Sequence, residues 1–350
     1  MPHTSHPEAP LTRQQARRGL TWLGWSLLIV AVGGTGLARA AENGTLAVPR
    51  VLREVRNDER IAVPGSAHPR ARAQDDRGAV DDTLRLEQMV LVLQASAAQE
   101  QALAALQQAQ QDPNSPDYRQ WLSPQAFAER FGVAQADIDT ITAWLTQQGL
   151  RVDEVSAGRR SIVFSGNARQ VREAFGVKLR YYERGDRQRH IAHAAPVQLP
   201  AALAEVVAGI ASLHDFRSEP QHLATPLATY GNAHYLAAGD FHTIYNLKSV
   251  LAQGLNGSGR TIAVIGRSNI ALSDVTQFRN SMALPSNPPQ IINGGTAPGF
   301  VTGDELESNL DVEWAGAVAT QATVKFVTTA STTTSDGITL SAQYAVNNNI

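Results

Sequence analysis

The chain has 350 residues, which is enough for two ordinary domains and a leader. Its 30 Lys and Arg residues are balanced by 32 Asp and Glu residues, giving a net charge of −2, so there is no overall basic field for binding nucleic acid. The chain contains no cysteine, which excludes a disulfide scaffold, a thiol nucleophile and a cysteine-ligated metal site.

The first predicted element is an export signal at residues 1–40. Three arginines precede an apolar run at residues 20–32, and small residues follow up to Ala40, where we expect cleavage. The apolar run is shorter than the roughly 20 residues that a membrane-spanning helix needs. We therefore expect a secreted or periplasmic protein with no membrane attachment after cleavage. The adjacent Arg17 and Arg18 leave both the general and the twin-arginine export routes open.

Residues 41–82 are predicted to be a linker or disordered leader, because they carry prolines and many charges without a sustained apolar period. Residues 83–216 have complete strand and helix signals and are predicted to form one α+β domain. The predicted strands are residues 89–93, 161–164 and 178–182, and the predicted helices are residues 97–110, a short helix capped by Ser123, residues 137–148, and a helix capped by Asn167.

Residues 217–230 are predicted to be an exposed linker that proteases cut, because they contain two prolines and have little periodicity. Residues 231–350 then alternate strands and helices, as is typical of a parallel sheet covered on both faces. Strands are predicted at residues 261–266 and 323–328, and helices at residues 273–281, 309–319 and 338–346. With only two clear strands, this domain is expected to be incomplete.

Five carboxylates open an otherwise apolar helix in residues 303–314. A helix N-terminus stabilises a nearby carboxylate by about 0.3 to 1 kcal/mol, which would account for Asp304 and Glu305. Glu307 and Asp311 are four residues apart and share one face of the helix. Like charges there repel, and a shared proton would lower that cost and create an acid/base relay. From spacing alone, two interpretations of these carboxylates stay open: an acidic helix cap and a catalytic pair.

A resemblance to a known family favours the catalytic pair. Residues 307–314 read Glu-x-x-Leu-Asp-x-Glu-Trp and resemble the glutamate–aspartate motif of the sedolisin family of serine-carboxyl peptidases. Residues 112–124, with Asp-Pro-x-Ser-Pro-x-Tyr-x-x-Trp-Leu-Ser-Pro, resemble the pro-kumamolisin activation domain. Residues 239–247 and 257–264 are similar to the opening of the mature enzyme. Together the similar stretches span about residues 85–350.

The resemblance implies a ferredoxin-like propeptide at residues 83–216, which packs on its own catalytic domain. It implies that residues 231–350 are the N-terminal part of a subtilisin-like α/β domain with a parallel sheet. Glu307 would be the general base toward a serine, and Asp311 would orient Glu307 and share its proton. The family's serine lies in a Gly-Thr-Ser motif, which does not occur in this chain, so we expect half of a Ser-Glu-Asp triad and no activity alone.

The expected function is therefore that of a secreted acid serine-type endopeptidase precursor acting on proteins or peptides. No cofactor or metal is expected in this chain, because its histidines lack the spacing of a zinc site, while calcium is expected for the complete family domain. Two alternatives stay open: a non-catalytic propeptide-like module that binds or inhibits peptidases, and a periplasmic binding protein. The second fits the export signal but not the carboxylate motif.

Overall fold

A computed structural model describes residues 47–183, 188–217 and 237–350. The predicted signal at residues 1–40 and residues 218–230 of the predicted processing linker lie outside the described residues. Thr45–Ile350 forms one compact unit. This unit includes a first part, up to residue 217, and a second part, from residue 237 onward.

The described residues form both strands and helices, which alternate regularly only from residue 261 onward. The strands are β1 (Arg60–Ala62), β2 (Asp76–Ala79), β3 (Arg85–Leu93), β4 (Arg151–Val155), β5 (Ser161–Asn167), β6 (Arg180–Glu183), β7 (Arg189–Ala192), β8 (Gln198–Pro200), β9 (Val207–Ile210), β10 (Thr261–Gly266), β11 (Gln290–Asn293) and β12 (Thr323–Thr328). The helices are α1 (Ala97–Ala109), α2 (Pro124–Phe131), α3 (Gln135–Gln147), α4 (Ala168–Phe175), α5 (Ala238–Ile244), α6 (Lys248–Ala252), α7 (Leu272–Ser281), α8 (Asp304–Val318) and α9 (Gly337–Asn347).

The main sheet of the first part is antiparallel, with strand order β4-β5-β3-β9. Its central strand β3 has a register shift between Leu86 and Met89, and Gln88 at that point has a φ of 56°. The extra residue lets Leu86 and Met89, three positions apart, both lie in the core. The bulge therefore shifts the in-and-out alternation of side chains by one residue, so that the apolar side chains on both sides of it face the core.

Helix ends in this part follow the expected capping chemistry. The Ser123 side chain accepts a hydrogen bond from the backbone N–H of Ala126, and Pro124 is the first residue of α2. The Asn167 side chain caps α4, which ends at Gly176 with a φ of 65°. The predicted helices that start at these two caps are confirmed.

In residues 47–82 the structure differs from the expected linker or disordered leader. The carboxylate of Asp137, which is 1% exposed, accepts hydrogen bonds from the backbone N–H groups of Arg50 (2.9 Å) and Val51 (2.9 Å). The Trp144 indole N–H donates to Asn57 Oδ1 at 3.0 Å. Further along, β1 pairs with β8 and β2 pairs with β6. These hydrogen bonds to distant residues hold the segment in place despite its charges and prolines.

The second part contains a parallel sheet in the order β10-β12-β11. Predicted strands β10 and β12 are confirmed, and β11 is an additional strand. Val264, Val324 and Phe326 form its core together with Val312 of α8. The helix that carries the candidate site therefore lies directly on the sheet.

The two parts contact each other within this unit. The Thr332 hydroxyl donates to the carbonyl of Glu87 at 2.9 Å, and the Asn347 side-chain amide donates to the Glu154 carboxylate at 2.6 Å. The first contact joins the bulged strand β3 to the loop that follows β12, and the second joins β4 to the end of α9. Within residues 47–183, 188–217 and 237–350, no helix is long and apolar enough to cross a membrane.

Candidate active site

The candidate site is built on α8, which begins at a strained backbone position. Gly303 precedes the helix with a φ of 89°, a conformation that favours glycine. The first turn carries Asp304, Glu305 and Glu307. Further along, the Trp314 ring contacts Phe278 of α7, with ring centroids 6.1 Å apart. The packing of the apolar half thus fixes the rotation of the helix about its axis, and this rotation sets the orientation of the acidic side chains.

A buried arginine holds the N-terminal end of α8. Arg267 follows β10 and donates two hydrogen bonds to Asp304, both 2.9 Å long. Its third nitrogen donates to Asp336, the N-cap of α9, at 2.7 Å. Burial lowers the pKa of Arg267, but the hydrogen bonds and charges of the two aspartates outweigh burial and raise it. Arg267 therefore stays charged and ties the starts of two helices to the carboxyl edge of the sheet.

A second buried arginine holds the other end. Arg279 of α7 donates to the carbonyls of Gly316 (3.2 Å) and Thr320 (3.2 Å), at and just after the C-terminal end of α8. A cation is favourable there, because the carbonyls of the last turn carry partial negative charge. Both ends of α8 are thus anchored by guanidinium groups.

Glu307 and Asp311, the predicted catalytic pair, are brought together by α8. Glu307 is half-buried and Asp311 is an exposed residue. Loss of solvent around its carboxyl and, second, the negative charge of Glu307 raise the pKa of Asp311. The negative charge of Glu307 therefore favours the protonated form of Asp311. Two carboxyls placed in this way can share a proton and pass it to a third group.

Glu313 is an acid to which the sequence assigns no role. Burial, with a smaller contribution from the negative charge of Asp274 in α7, raises its pKa to about 7. The only sequence signal is the position of Glu313 next to Trp314, in the apolar half of the helix. Its neighbour Asp274 lies on a different helix, so the interaction depends on how α7 and α8 pack.

Glu305, in the first turn of the helix, donates its backbone N–H to the Val301 carbonyl at 2.9 Å. No group of three or more His, Asp or Glu side chains that could hold a metal occurs in residues 47–183, 188–217 or 237–350. Calcium thus stays an expectation for the complete family domain, and no described residue is assigned to it.

Comparisons with known proteins agree with the resemblance. Residues 73–216 match the family described as pro-kumamolisin, activation domain. The chain is 27% identical over 278 residues to sedolisin from Pseudomonas sp. (strain 101), covering 74% of the chain and 46% of that protein. It is 25% identical over 273 residues to kumamolisin from Bacillus sp. (strain MN-32), covering 75% of the chain and 48% of that protein.

A third similar protein is xanthomonalisin from Xanthomonas sp. (strain T-22), 25% identical over 185 residues, covering 49% of the chain and 22% of that protein. The chain therefore spans about half the length of sedolisin and kumamolisin, and less of xanthomonalisin. An activation domain followed by a mixed α/β segment defines the class of protein, a precursor with an N-terminal propeptide. Within that class, residues 73–216 match the pro-kumamolisin activation domain, and the chain is similar to peptidases of the sedolisin family.

Proposed function

We propose that this chain is the export signal, propeptide and opening peptidase segment of a secreted, acid-acting serine-type endopeptidase. The observation that carries the proposal is the pair Glu307 and Asp311. These acids lie four residues apart on a helix anchored at both ends, and the charge of Glu307 contributes to the raised pKa of Asp311. A helix fixed in this way can hold a general base in one orientation, as proton transfer requires.

The proposed roles follow from that electrostatic coupling. Glu307 is the general base toward a serine supplied by the remainder of the domain, and Asp311 orients Glu307 and shares its proton. Because the Asp311 pKa is raised, the shared proton is lost as pH rises, so the pair works on the acid side of neutrality. Calcium, bound by the complete family domain, would contribute structure and not proton transfer.

The finer fold assignment is part of the same proposal. Residues 83–216 form a ferredoxin-like propeptide. This is supported by a βαββαβ path through β3, β4, β5 and β9 and by the antiparallel order β4-β5-β3-β9. Residues 231–350 form the start of a subtilisin-like domain, supported by the parallel order β10-β12-β11 with α8 on its face. The propeptide match at residues 73–216 supports a boundary near residue 217.

The propeptide is proposed to pack on its own peptidase domain and to keep substrates away from the site until it is removed. The hydrogen bonds from Thr332 to Glu87 and from Asn347 to Glu154 support this packing. The guanidinium of Arg217 also donates to the Thr332 carbonyl, in the loop that follows β12. In parallel α/β sheets, substrates bind at the carboxyl ends of strands, so a chain segment there is well placed to block access.

The test uses matched substitutions in the acidic turn. With the serine-bearing remainder of the domain supplied, Glu307→Gln and Asp311→Asn should each lower kcat on protein substrates at acid pH by about 10²- to 10⁴-fold, as for loss of a positioned general base. Glu305 lies two residues before Glu307 in the same turn. Glu305→Gln is therefore the control and should leave kcat within about threefold of the parent.

Two results would contradict the assignment. Equal losses from Glu305→Gln and Glu307→Gln would mean that the acids cap the helix and do no chemistry. Hydrolysis by the 350-residue chain that survives Glu307→Gln would mean that the activity comes from another site. Inhibition of related peptidases by a chain that never hydrolyses peptides, even when extended, would favour the non-catalytic binding module.

A further inference from the structure

Three histidine rings surround one buried phenylalanine near the end of the proposed propeptide. Phe216 is 8% exposed, and its ring stacks on His68 and His190 with centroids 4.6 and 4.3 Å apart. His68 also meets His214, with centroids 4.2 Å apart. His193 lies close enough to His68 and His214 to affect their charge. We call His68, His190, His193 and His214 the histidine cluster.

The cluster offers little compensation for positive charge. His193 Nδ1 hydrogen-bonds the Ala195 carbonyl at 2.7 Å, and the buried His214 Nδ1 has no hydrogen-bond partner among the described residues. The acid beside the cluster is Asp215. Its Oδ1 lies 3.3 Å from His190 Nδ1 and also accepts a hydrogen bond of 2.7 Å from the Ile191 backbone N–H. One carboxylate therefore faces several ring nitrogens.

A fixed positive charge adds to this imbalance, because the Arg70 guanidinium lies 5.8 Å from the centre of the Phe216 ring. Burial lowers the pKa of His68 to about 4, and burial also lowers the pKa of His193 and His214. Among the residues that the structure describes, the charged and titratable groups near these rings are Arg70, Asp215, the other histidines of the cluster and Tyr182, which packs with Phe216.

The cluster holds a short segment that reaches the peptidase part. In residues 214–217, which we call the tail, the Asp215 backbone N–H donates to the Ile191 carbonyl at 3.1 Å. The next anchor is Phe216, enclosed by the cluster, and then Arg217 donates to the Thr332 carbonyl. Displacing Phe216 would thus break the hydrogen bond from Arg217 to Thr332, which joins the tail to the loop after β12.

We propose that the histidine cluster is an acid-sensitive latch, in which protonation of His68 and of the buried His193 and His214 expels Phe216 and releases the tail from Thr332. The inference deepens the proposed function, since it takes the tail as the end of the propeptide and acid as the signal for its release. The step requires only the uptake of protons from solvent, and no covalent bond in the chain is broken.

The direction of the pH effect follows from the lowered pKa values. Histidine in an unfolded chain titrates near 6.5, whereas His68 in the packed cluster titrates at about 4. Packing of the tail is therefore at full strength above pH 6.5 and weakens as pH falls from 6.5 to 4. For His68 the difference corresponds to an opening equilibrium shifted by up to about 300-fold, reduced by the partial exposure of the ring.

Hydrogen–deuterium exchange of the full chain at about pH 7 and about pH 4.5, normalised to the intrinsic rate at each pH, measures the opening directly. We expect the peptide containing the tail to lose protection by about tenfold or more on acidification. His68→Phe keeps a ring against Phe216 but cannot be protonated, and it should retain most of that protection. His242→Phe, outside the cluster, is the matched control and should behave like the parent chain.

Equal loss of protection in the parent and in His68→Phe, or no loss in the parent, would overturn the proposal. If His68→Phe does not fold, NMR titration of the ring protons in the parent chain decides the question. At least one cluster histidine should titrate below about pH 5, and titration of all of them near the ordinary value would overturn the latch. Neither measurement needs peptidase activity, so their failure would leave the roles of Glu307 and Asp311 untouched.

Discussion

Removing the Arg267 guanidinium should destabilise the peptidase part strongly. The side chain is 9% exposed and makes three charge-assisted hydrogen bonds, to Asp304 and Asp336, whose side chains are 15% and 24% exposed. Arg267→Met keeps much of the volume but leaves both carboxylates without their cation. Removing one partner of a buried ion pair costs about 3 to 5 kcal/mol, and the partial exposure of Asp336 puts the expected loss near the lower end.

Urea unfolding of the full chain, followed by tryptophan fluorescence, measures this loss, because Trp314 lies on the same helix as Asp304. Arg151→Met is the matched control: Arg151 is bound to Asp153 at 2.6 Å, but its side chain is 67% exposed. A surface pair of this kind contributes about 0 to 1 kcal/mol. If Arg267→Met costs no more than Arg151→Met, the anchoring of α8 by Arg267 is refuted.

Three further changes test other parts of the structure. Asp137→Ala should cost about 1 to 3 kcal/mol in urea unfolding and expose residues 47–58 to limited proteolysis, because two backbone N–H groups lose their acceptor. Gly266→Ala should lower stability by about 1 to 3 kcal/mol in a thermal melt, since its Cβ would lie 2.5 Å from Phe326, whereas Gly299→Ala meets nothing within 4 Å and should be neutral. Glu313 has a pKa raised from 4.5 to about 7, so its contribution to stability is full below pH 4.5 and is lost as pH rises through 7; Glu313→Gln should flatten that part of the stability profile.

Periodicity predicted the elements of the fold well where a helix or strand has one apolar face. In α3, Ile138, Ile141, Trp144 and Leu145 are all buried, as their spacing predicts. Strand β11 was missed because it is four residues long, follows two prolines and has no buried alternation of its own. Its place in the sheet comes from pairing with β12, which the local sequence does not encode.

The packing of residues 47–82 could not be predicted from local sequence either. Val51, Val55 and Val63 pack against the core, but most of the residues between them are charged, so the stretch has no sustained apolar period. The hydrogen bonds that hold this segment come from Asp137, which lies more than eighty positions away. A charged, proline-containing stretch can thus be ordered when a distant buried carboxylate accepts its backbone N–H groups.

The candidate site divides in the same way. Glu307 and Asp311 lie on one helix, so their proximity follows from spacing of four residues, and it was predicted. The partners of Glu313 and of His68 lie on other elements, and only packing brings Asp274 or Phe216 to them. From the sequence, the histidines only lack the spacing of a zinc site, and nothing in that spacing indicates a cluster.

Acid acts in opposite directions on the two parts of the chain. In the propeptide part, half-buried His68 titrates at about 4, so protons bind more readily to the opened form and acidification weakens the packing around Phe216. In the peptidase part, Glu313 titrates at about 7, so the folded form binds the proton more readily and acidification strengthens the packing of α7 on α8. A fall in pH from 7 to 5 therefore loosens the tail while it stabilises the helix that carries Glu307 and Asp311. The proposed zymogen would need this combination, because its propeptide would have to leave under the same conditions in which the proposed site stays folded.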